Sequence, residues 1–215
     1  MAKPCKTAIL ISGSGTNLQA FIDAVATGEL SLDLSVVFSN NPEAFGLQRA
    51  EQAGIPTACI QHSDFPNRES FDAAVIAELD RFDPDLLILA GFMRILSPGF
   101  VSHFAGKILN IHPALLPSYP GLNTHQRVLD AGDAWHGSTV HFVTEELDGG
   151  PRILQGRLAV NPGETAAELE ARVQAVEHQI YPLAAGWVGS GKVVYNGDHV
   201  IVGGVRKDEP EIKNF

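Results

Sequence analysis

The sequence predicts an α/β fold with a doubly wound, mostly parallel sheet, and three observations lead to this class. Strand-like and helix-like segments alternate over roughly the first hundred residues, as they do in βαβ units. Residues 84–92 form a continuous apolar run, which is typical of a strand covered on both faces. In the second half, strand-like segments follow each other with fewer helices between them. This spacing predicts antiparallel additions to the sheet and a C-terminal hairpin.

The first half contains the segments expected of a parallel sheet and its helices. Residues 7–12 predict a buried strand, because a short apolar run is bounded by glycines. A glycine turn and an amphipathic helix follow it. Further strands are predicted at residues 33–42 and 56–60, and further helices at residues 43–54 and 67–82.

The second half predicts strands over residues 107–113, 137–144 and 152–160. The clearest helix follows them, because Thr165 and Glu168 have the spacing of a capping box and an apolar stripe runs along the residues behind them. Two short strands around Asn196-Gly197 predict a hairpin. The charged tail, residues 206–215, is expected to be loose.

The composition narrows the classes of partner and compartment. The chain has 215 residues, a formal net charge of −10 and no cluster of lysine and arginine, so nucleic acid is not expected as its main partner. The protein can still bind small anionic ligands at a place where local hydrogen-bond donors offset the negative net charge. Cys5 and Cys59 match no metal or redox spacing and predict free thiols in a reducing compartment. The apolar run near the N-terminus is too short for a secretory signal or a membrane span, so we expect a cytoplasmic protein without a membrane partner.

The first strand becomes a helix through a glycine turn, and the residues at this junction are Gly13, Gly15, Thr16 and Asn17. A helix N-terminus presents backbone N–H groups and the positive end of the helix dipole, so it can hold a phosphate without a basic patch. Leu18 stands where the dinucleotide-binding fingerprint has its third glycine, and the pattern does not fit a P-loop either. Two interpretations therefore stay open: a tight turn that needs glycine, and a phosphate site.

The segment "KILNIHPALLPSYPG" places an amide and an imidazole together at a strand end. Alternation with period two puts Asn110 and His112 on the same side of the strand. The carboxyl ends of strands are where open α/β sheets collect their chemistry, and the three prolines that follow stop the strand and stiffen the chain. A buried structural histidine and half of an active site both fit these residues.

A carboxylate on a glycine loop is the third candidate. Asp148 precedes Gly149 and Gly150, after one predicted strand and before the next. From the residues alone, Asp148 is either a solvated turn residue or a partner for a histidine.

Taken together, these segments carry a resemblance to a known family. The motifs that carry it are, in order along the chain, "ISGSGTNLQ", "NRESFD", "GFMRILSP", "NIHPALLPSYPG" and "ELDGGPRI". As a colinear set from about residue 7 to about residue 190, they resemble glycinamide ribonucleotide formyltransferases, the folate-dependent transformylases of purine synthesis.

The resemblance implies the transfer of a formyl group from 10-formyltetrahydrofolate, as co-substrate, to the amine of glycinamide ribonucleotide, without a metal. It implies that Asn110, His112 and Asp148 are the catalytic trio. Their chemistry suits the reaction, because amine attack creates an oxyanion that needs hydrogen-bond donors and a leaving nitrogen that needs a proton. Asp148 would then support the protonated imidazole of His112.

The resemblance also assigns ligand-binding residues. It implies that the substrate contacts Gly15, Thr16, Asn17, Gln174 and Glu177. It implies that the folate contacts Arg68, Met93, Arg94, Ile95, Leu96 and Asn110. Two of these groups have an ordinary structural alternative: Glu177 as a residue on the rim of a helix face, and the apolar members of the 93–96 segment as part of the hydrophobic core.

The resemblance further implies one formyltransferase domain over residues 1–215. We expect residues 1–105 to form a Rossmann-like, phosphate-binding half, residues 106–190 a catalytic half and residues 191–215 a hairpin and tail. The expected partners are small molecules, and the oligomeric state, monomer or homodimer, stays open.

Other functions fit the sequence less well. Methionyl-tRNA formyltransferase and formyltetrahydrofolate deformylase share the trio but carry an added C-terminal or N-terminal domain, for which this chain leaves little room. A nicotinamide-dependent oxidoreductase is disfavoured, because the glycine pattern is incomplete and the second strand ends in Asn40 and Asn41 instead of an acid. A non-catalytic nucleotide-binding module would not need the trio. A metal site is not expected either, since the eight histidines are scattered and His136 and His141 lack a ligand spacing.

Overall fold

The computed structural model of the protein describes residues 3–215, and these divide into two compact units between Leu109 and Asn110. The elements of the first unit are β1 (Cys5–Ile11), α1 (Thr16–Ala26), β2 (Leu32–Ser39), α2 (Phe45–Gln52), β3 (Thr57–Cys59), α3 (Arg68–Asp80), β4 (Leu86–Leu89) and α4 (Pro98–His103). The strand β5 (Ile108–His112) begins in the first unit and ends in the second.

The first unit is built on parallel strands with a reversal of their order. The strand β1 pairs in parallel with both β2 and β4, and β2 pairs in parallel with β3. The chain therefore proceeds from β1 to β3 on one side of β1 and then returns to place β4 on the other side. In open α/β sheets such a switch point, at the carboxyl ends of the strands, is where ligands bind. The glycine turn follows β1 and lies at this point.

The second unit adds antiparallel strands and one long helix. Its elements after β5 are α5 (Thr124–Ala131), β6 (Trp135–Phe142), β7 (Arg152–Ala159), α6 (Ala166–Gly189), β8 (Val193–Asn196), β9 (His199–Val202), β10 (Val205–Lys207) and β11 (Glu211–Asn214). The strands β6 and β7 are antiparallel, whereas β11 pairs in parallel with β7. A separate antiparallel sheet holds β8, β9 and β10. The predicted class, a mostly parallel α/β fold with antiparallel additions and a C-terminal hairpin, is confirmed.

The structure also contains elements that the sequence patterns did not predict. The helices α4 and α5 and the strand β10 are short, and none has a long apolar period. The expectation of a loose tail is wrong for Glu211–Asn214, which forms β11, and the Phe215 amide continues the pairing by donating to the Arg157 carbonyl at 2.9 Å. Backbone hydrogen bonds hold this strand, while its side chains are exposed, so side-chain patterning carried no signal for it.

The core of each unit follows the apolar runs of the sequence. Residues 8–11 of β1 are completely buried. On α6 the predicted stripe is confirmed, and its buried members are Leu169, Val173, Val176 and Ile180. Burying one such side chain stabilises the fold by about 1.5–3 kcal/mol.

The capping box at the start of α6 is confirmed and leads to a stability prediction. The Thr165 hydroxyl accepts from the Glu168 amide, and the Glu168 carboxylate accepts from the Thr165 amide. Replacing Thr165 with alanine is expected to lower the free energy of unfolding by about 1 kcal/mol, because the helix loses a cap. Urea unfolding measures the loss. Thr165→Ser keeps the hydroxyl and should retain most of the stability; equal losses in the two variants would contradict the role of the cap.

Candidate active site

The strand β5 ends in the two polar residues that the sequence singled out. Ile108, Leu109 and Ile111 are buried, Asn110 is half-buried, and His112 is 5% exposed. The His112 carbonyl accepts from the Ser138 hydroxyl at 2.8 Å and from the Ala114 amide at 2.8 Å. These bonds hold the end of the strand on β6 and turn the chain away from the sheet.

The His112 ring lies between a carboxylate and a carbonyl. Its Nδ1 is 3.4 Å from Asp148 Oδ2, and both side chains are more than nine-tenths buried. Its Nε2 lies 2.9 Å from the Tyr119 carbonyl oxygen. A carbonyl oxygen can only accept, so Nε2 carries a proton. The ring therefore has a protonated nitrogen on one side and a carboxylate beside its other nitrogen.

Backbone geometry holds Asp148 in place. Its φ is +54°, and its Oδ2 also accepts from the Gly121 amide at 2.9 Å. A Cβ at position 150 would collide with the carbonyl oxygen of Phe142. The loop can therefore pack this closely against β6 only because residue 150 is glycine. The interpretation of Asp148 as a solvated turn residue is wrong, because the loop turns its carboxylate towards His112.

The Asn110 amide faces a second histidine. Asn110 Nδ2 lies 3.2 Å from His141 Nε2, and His141 Nδ1 lies 2.8 Å from the Phe142 carbonyl oxygen. His141 is 2% exposed, and burial lowers the pKa of its imidazole. Sequence reasoning considered His141 as a metal ligand and missed this contact. The alternation of "GSTVHFVT" placed Thr139 and His141 on one face of β6, which is the signal that could have found it.

A buried polar clamp holds the proline segment after His112. The Thr139 hydroxyl donates to the Ala114 carbonyl at 2.7 Å and accepts from the Leu116 amide at 3.0 Å. Gln155 Nε2 and Arg152 Nη1 both donate to the Leu116 carbonyl, at 2.7 and 2.8 Å. The Leu116–Pro117 peptide bond in this segment is cis. The clamp holds the segment that leads to the Tyr119 carbonyl.

A pair of buried imidazoles joins α5 to β6. His125 Nδ1 lies 3.0 Å from His136 Nε2, so one ring donates and the other accepts. Burial lowers the pKa of His125, and burial followed by the neighbouring His125 and His112 lowers the pKa of His136 to about 4. The pair therefore favours two neutral rings, with one proton shared between the facing nitrogens.

This pair predicts a loss of stability in acid. An unfolded histidine has a pKa near 6.5, so above that pH both states are neutral and the pair is stable. As the pH falls from about 6.5 to about 4, the unfolded chain binds protons that the folded pair excludes, and the free energy of unfolding decreases, on the order of 2 kcal/mol for His136.

Urea unfolding at pH 7 and pH 4.5 measures this dependence. His136→Gln should reduce the difference between the two pH values. His103→Gln, on an exposed histidine of α4 that lies 2.9 Å from the Asp80 carboxylate, should not reduce the difference. An identical pH dependence in the wild type and His136→Gln would contradict the assignment.

In the first unit, the glycine turn opens α1 at the switch point. Gly15 has φ +70°, and its carbonyl accepts from the Gln19 amide at 2.9 Å. The turn is packed on α2, because the Gly46 amide donates to the Gly13 carbonyl at 3.0 Å and Arg49 Nε donates to the Ser14 carbonyl at 2.9 Å. The N-cap residue Gly15 has no side chain to cap this helix, and the first turn has no acidic residue, so the electropositive end of the helix suits an anion.

The segment proposed for the folate lies after β4, at the same sheet edge of this unit. The Met93 amide donates to the Ser12 hydroxyl at 2.8 Å, and Ser12 donates to Asn40 Oδ1 at 2.6 Å. These two hydrogen bonds link the carboxyl ends of β1, β2 and β4. At the far end of the segment, the Ser97 amide donates to the buried Asp72 carboxylate at 2.6 Å. The backbone is thus anchored at both ends.

The side chains between these anchors are open to solvent. Met93 is 77% exposed and Ile95 is 65% exposed, so the core interpretation is wrong for both. Leu96 and Arg94 are half-buried, and the Arg94 guanidinium lies 5.9 Å from the centre of the Phe71 ring. Arg68 begins α3 and lies 3.3 Å from the carboxylate of its neighbour Glu69.

The long helix presents the two remaining predicted residues differently. Gln174 is exposed, whereas Glu177 is 8% exposed and accepts from the Ser138 hydroxyl at 3.0 Å. The rim interpretation of Glu177 is therefore wrong. The single hydroxyl proton of Ser138 is shared between Glu177 and the His112 carbonyl, so Glu177 is linked to the end of β5.

Two other kinds of feature are absent from residues 3–215. No group of three or more His, Cys, Asp or Glu side chains in this range could hold a metal ion. None of its helices combines the length and the apolar character that a membrane crossing requires.

Comparison with known proteins gives one consistent match over most of the chain. The family model described as "Formyl transferase" matches residues 5–185. The "Phosphoribosylglycinamide formyltransferase" of Escherichia coli (strain K12) is 55% identical over 185 residues, which cover 86% of this chain and 87% of that protein. The "Trifunctional purine biosynthetic protein adenosine-3" of Homo sapiens is 48% identical over 191 residues, which cover 89% of this chain and 19% of that protein. A solved structure of phosphoribosylglycinamide formyltransferase from Coxiella burnetii aligns with a TM-score of 0.93 at 46% identity, covering 98% of this chain and 99% of that one.

Proposed function

The chain belongs to the formyl transferase family, and on this premise we propose that it transfers a formyl group from 10-formyltetrahydrofolate to the amine of glycinamide ribonucleotide. The reaction is a step of purine biosynthesis, and we expect it to take place in the cytoplasm, between small-molecule substrates. The observation that carries the proposal is the His112 ring, held between the Tyr119 carbonyl and the Asp148 carboxylate in the arrangement that a general acid requires.

The chemistry begins with attack of the substrate amine on the formyl carbon. A carbon–nitrogen bond forms, and the formyl oxygen becomes an oxyanion on a tetrahedral carbon. Asn110 donates an amide N–H to that oxygen, and such a donor acts most strongly when it is oriented in advance. In this proposal the protonated His112 is a second donor to the same centre.

The bond to the folate nitrogen then breaks. His112 gives its proton to the departing nitrogen, and Asp148 stabilises the imidazolium until that transfer. The attacking amine, which becomes an amide nitrogen, gives one proton to His112, so the proton that His112 passed to the folate nitrogen is replaced. His112 and Asp148 therefore end the cycle in the protonation state in which they began it.

The proposed division of the chain assigns phosphate binding to the first unit. Gly15, Thr16 and Asn17 would hold the substrate phosphate at the N-terminus of α1, where the helix dipole favours an anion. On the second unit, Gln174 and Glu177 would contact the ribose side of the substrate. Buried Glu177 suits hydroxyl groups, because a carboxylate is an acceptor of hydrogen bonds.

The proposed folate contacts are Arg68, Met93, Arg94, Ile95, Leu96 and Asn110. An exposed apolar pair on an anchored backbone suits a flat, partly apolar ring, because the backbone can donate and accept while Met93 and Ile95 cover the ring faces. Arg68 would attract the carboxylates of the folate tail, and Arg94 belongs to the segment that would line the ring pocket. The folate is a co-substrate in this proposal, and no metal takes part.

Replacing Gly15 with alanine is expected to impair substrate binding. A Cβ at Gly15 would lie 2.7 Å from Gly46 Cα, and the φ of +70° is strained for alanine. We expect a KM for the ribonucleotide about 10-fold higher and a free energy of unfolding lower by about 2 kcal/mol.

Gly28→Ala is the matched control, because Gly28 has φ +78° but nothing within 4 Å of its Cβ position. It should show the cost of the backbone conformation, about 1 kcal/mol, with an unchanged KM. A Gly15→Ala enzyme with the KM of the wild type would argue against the phosphate site.

The activity itself is tested by following loss of the formyl donor in three mixtures. The protein is incubated with 10-formyltetrahydrofolate and glycinamide ribonucleotide, with the donor in buffer alone, and with the ribonucleotide alone as a blank. Loss that requires the ribonucleotide supports transfer. Loss in buffer alone indicates a deformylase, and the absence of loss indicates a binding module; either result overturns the proposal.

A further inference from the structure

We propose that His141 is a positioning residue that fixes the orientation of the Asn110 amide, so that one defined N–H of Asn110 serves the formyl oxygen. This inference rests on the proposed function, because it needs Asn110 to act on the reacting carbon. It assigns His141 no contact with either substrate. The ring acts through Asn110 alone.

The Phe142 carbonyl ends the series of hydrogen bonds that runs through His141 to Asn110, and it fixes the direction of each one. The Phe142 carbonyl can only accept, so the proton on the His141 ring lies on Nδ1, 2.8 Å away. In a neutral ring, Nε2 then carries a lone pair. The group that faces it at 3.2 Å must donate, and the amide nitrogen of Asn110 is that donor.

Burial supports the neutral ring. His141 is 2% exposed and lies between Val140 and Phe142, which are completely buried. Desolvation is the largest influence on this histidine and lowers its pKa, and the nearby charge of His112 acts in the same direction. The Phe142 carbonyl and Asp148 oppose these effects. A neutral ring with Nδ1 protonated is therefore the form expected at neutral pH.

The consequence for Asn110 is a choice between two amide orientations. In the observed one, one N–H of Nδ2 is bonded to His141, and the second N–H remains to serve an acceptor. In the flipped one, Oδ1 would face the lone pair of Nε2, which repels it, and the donor would be lost from its place. His141 thus selects the orientation in which Asn110 has a donor for an oxyanion, and such preorganisation is what makes the donor effective.

Two substitutions test the roles of the two ring nitrogens of His141 separately. His141→Gln can place a side-chain carbonyl oxygen near the position of Nε2, where it accepts from Asn110. His141→Asn is shorter, can replace the Nδ1 donor, and leaves Asn110 without an acceptor. We expect kcat to fall about 100-fold in His141→Asn, with KM for both substrates within about twofold, and to recover about 10-fold in His141→Gln.

A double-mutant cycle with Asn110→Ala distinguishes positioning from a structural role. If His141 acts through Asn110, adding His141→Asn to Asn110→Ala should cause no further loss of kcat. Additive losses, or a wild-type kcat in His141→Asn, would overturn the proposal. His178→Gln is the matched control, a half-buried histidine whose pKa burial also lowers and whose Nε2 has no partner among the described residues. It should keep the wild-type kcat.

The tautomer provides a readout that does not depend on activity. In ¹⁵N-labelled protein, NMR should show His141 neutral and protonated on Nδ1 between about pH 6 and 8. A ring protonated on Nε2 would overturn the inference whatever the kinetics show. If Asn110→Ala itself keeps full turnover, the role proposed for Asn110 in the reaction is what fails, and the tautomer still reports whether the hydrogen-bond chain exists.

Discussion

Replacing Asn110 with alanine is expected to lower kcat for formyl transfer by about 10²–10³-fold, the usual cost of removing one oxyanion donor. The side chain is half-buried at the end of β5, and its amide is already bonded to His141, so it is oriented before substrate arrives. Water cannot replace such a donor without the reorganisation that the fixed amide avoids. Steady-state kinetics with both substrates measures the loss.

Asn110→Asp tests whether the N–H donor itself, and not the shape of the side chain, is required. The carboxylate has nearly the shape of the amide but no N–H, so it should lose as much kcat as alanine. Urea unfolding should show that both variants fold, because the Asn110 side chain is only half-buried. Near-native turnover in either variant would refute the assignment of Asn110 to the reacting centre.

Replacing Asp148 with asparagine is expected to lower kcat by a similar factor, about 10²–10⁴-fold. The Asp148 carboxylate lies 3.4 Å from His112 Nδ1 and also accepts from the Gly121 amide. Asparagine can keep the bond to Gly121, since its carbonyl oxygen also accepts, but it removes the negative charge beside the imidazolium. In the proposed mechanism the proton transfer from His112 to the departing nitrogen would then lack the charge that supports it.

The control for Asp148 is a carboxylate of the same loop. Glu145 is exposed, and Glu145→Gln removes one negative charge within three residues of Asp148. We expect this variant to keep kcat within about twofold, because exposed charges are strongly screened. If Asp148→Asn and Glu145→Gln have the same kcat, the pairing of Asp148 with His112 has no part in the reaction.

The sequence by itself determined the features that depend on near neighbours in the chain. The alternation around Asn110 and His112, the capping box of Thr165 and Glu168 and the glycine turn all involve residues within a few positions of each other. Their physical basis is local, since the helix period, the strand period and the backbone freedom of glycine are properties of short segments. The α/β class follows from the order of such segments.

The pairing of groups across the chain was decided by the tertiary structure alone. Asp148 meets His112 because a glycine loop folds back on β6, and His141 meets Asn110 because the neighbouring strands bring those two positions together. Strand register and loop closure join residues 31 positions apart in one pair and 36 in the other, and no local pattern encodes these pairings. For this reason the sequence indicated Asp148 as a candidate but not its partner, and it gave no sign that His141 contacts Asn110.

Burial was also decided by the tertiary structure. The sequence left Met93 and Ile95 open to a core interpretation, because apolar residues are usually buried, yet both are exposed at the sheet edge. It left Glu177 open to a rim interpretation, because carboxylates are usually exposed, yet Glu177 is buried against Ser138. Both departures from the general tendency occur at residues proposed to bind ligands. A binding surface has to expose apolar groups and bury polar ones, and only the packing of distant segments determines where this happens.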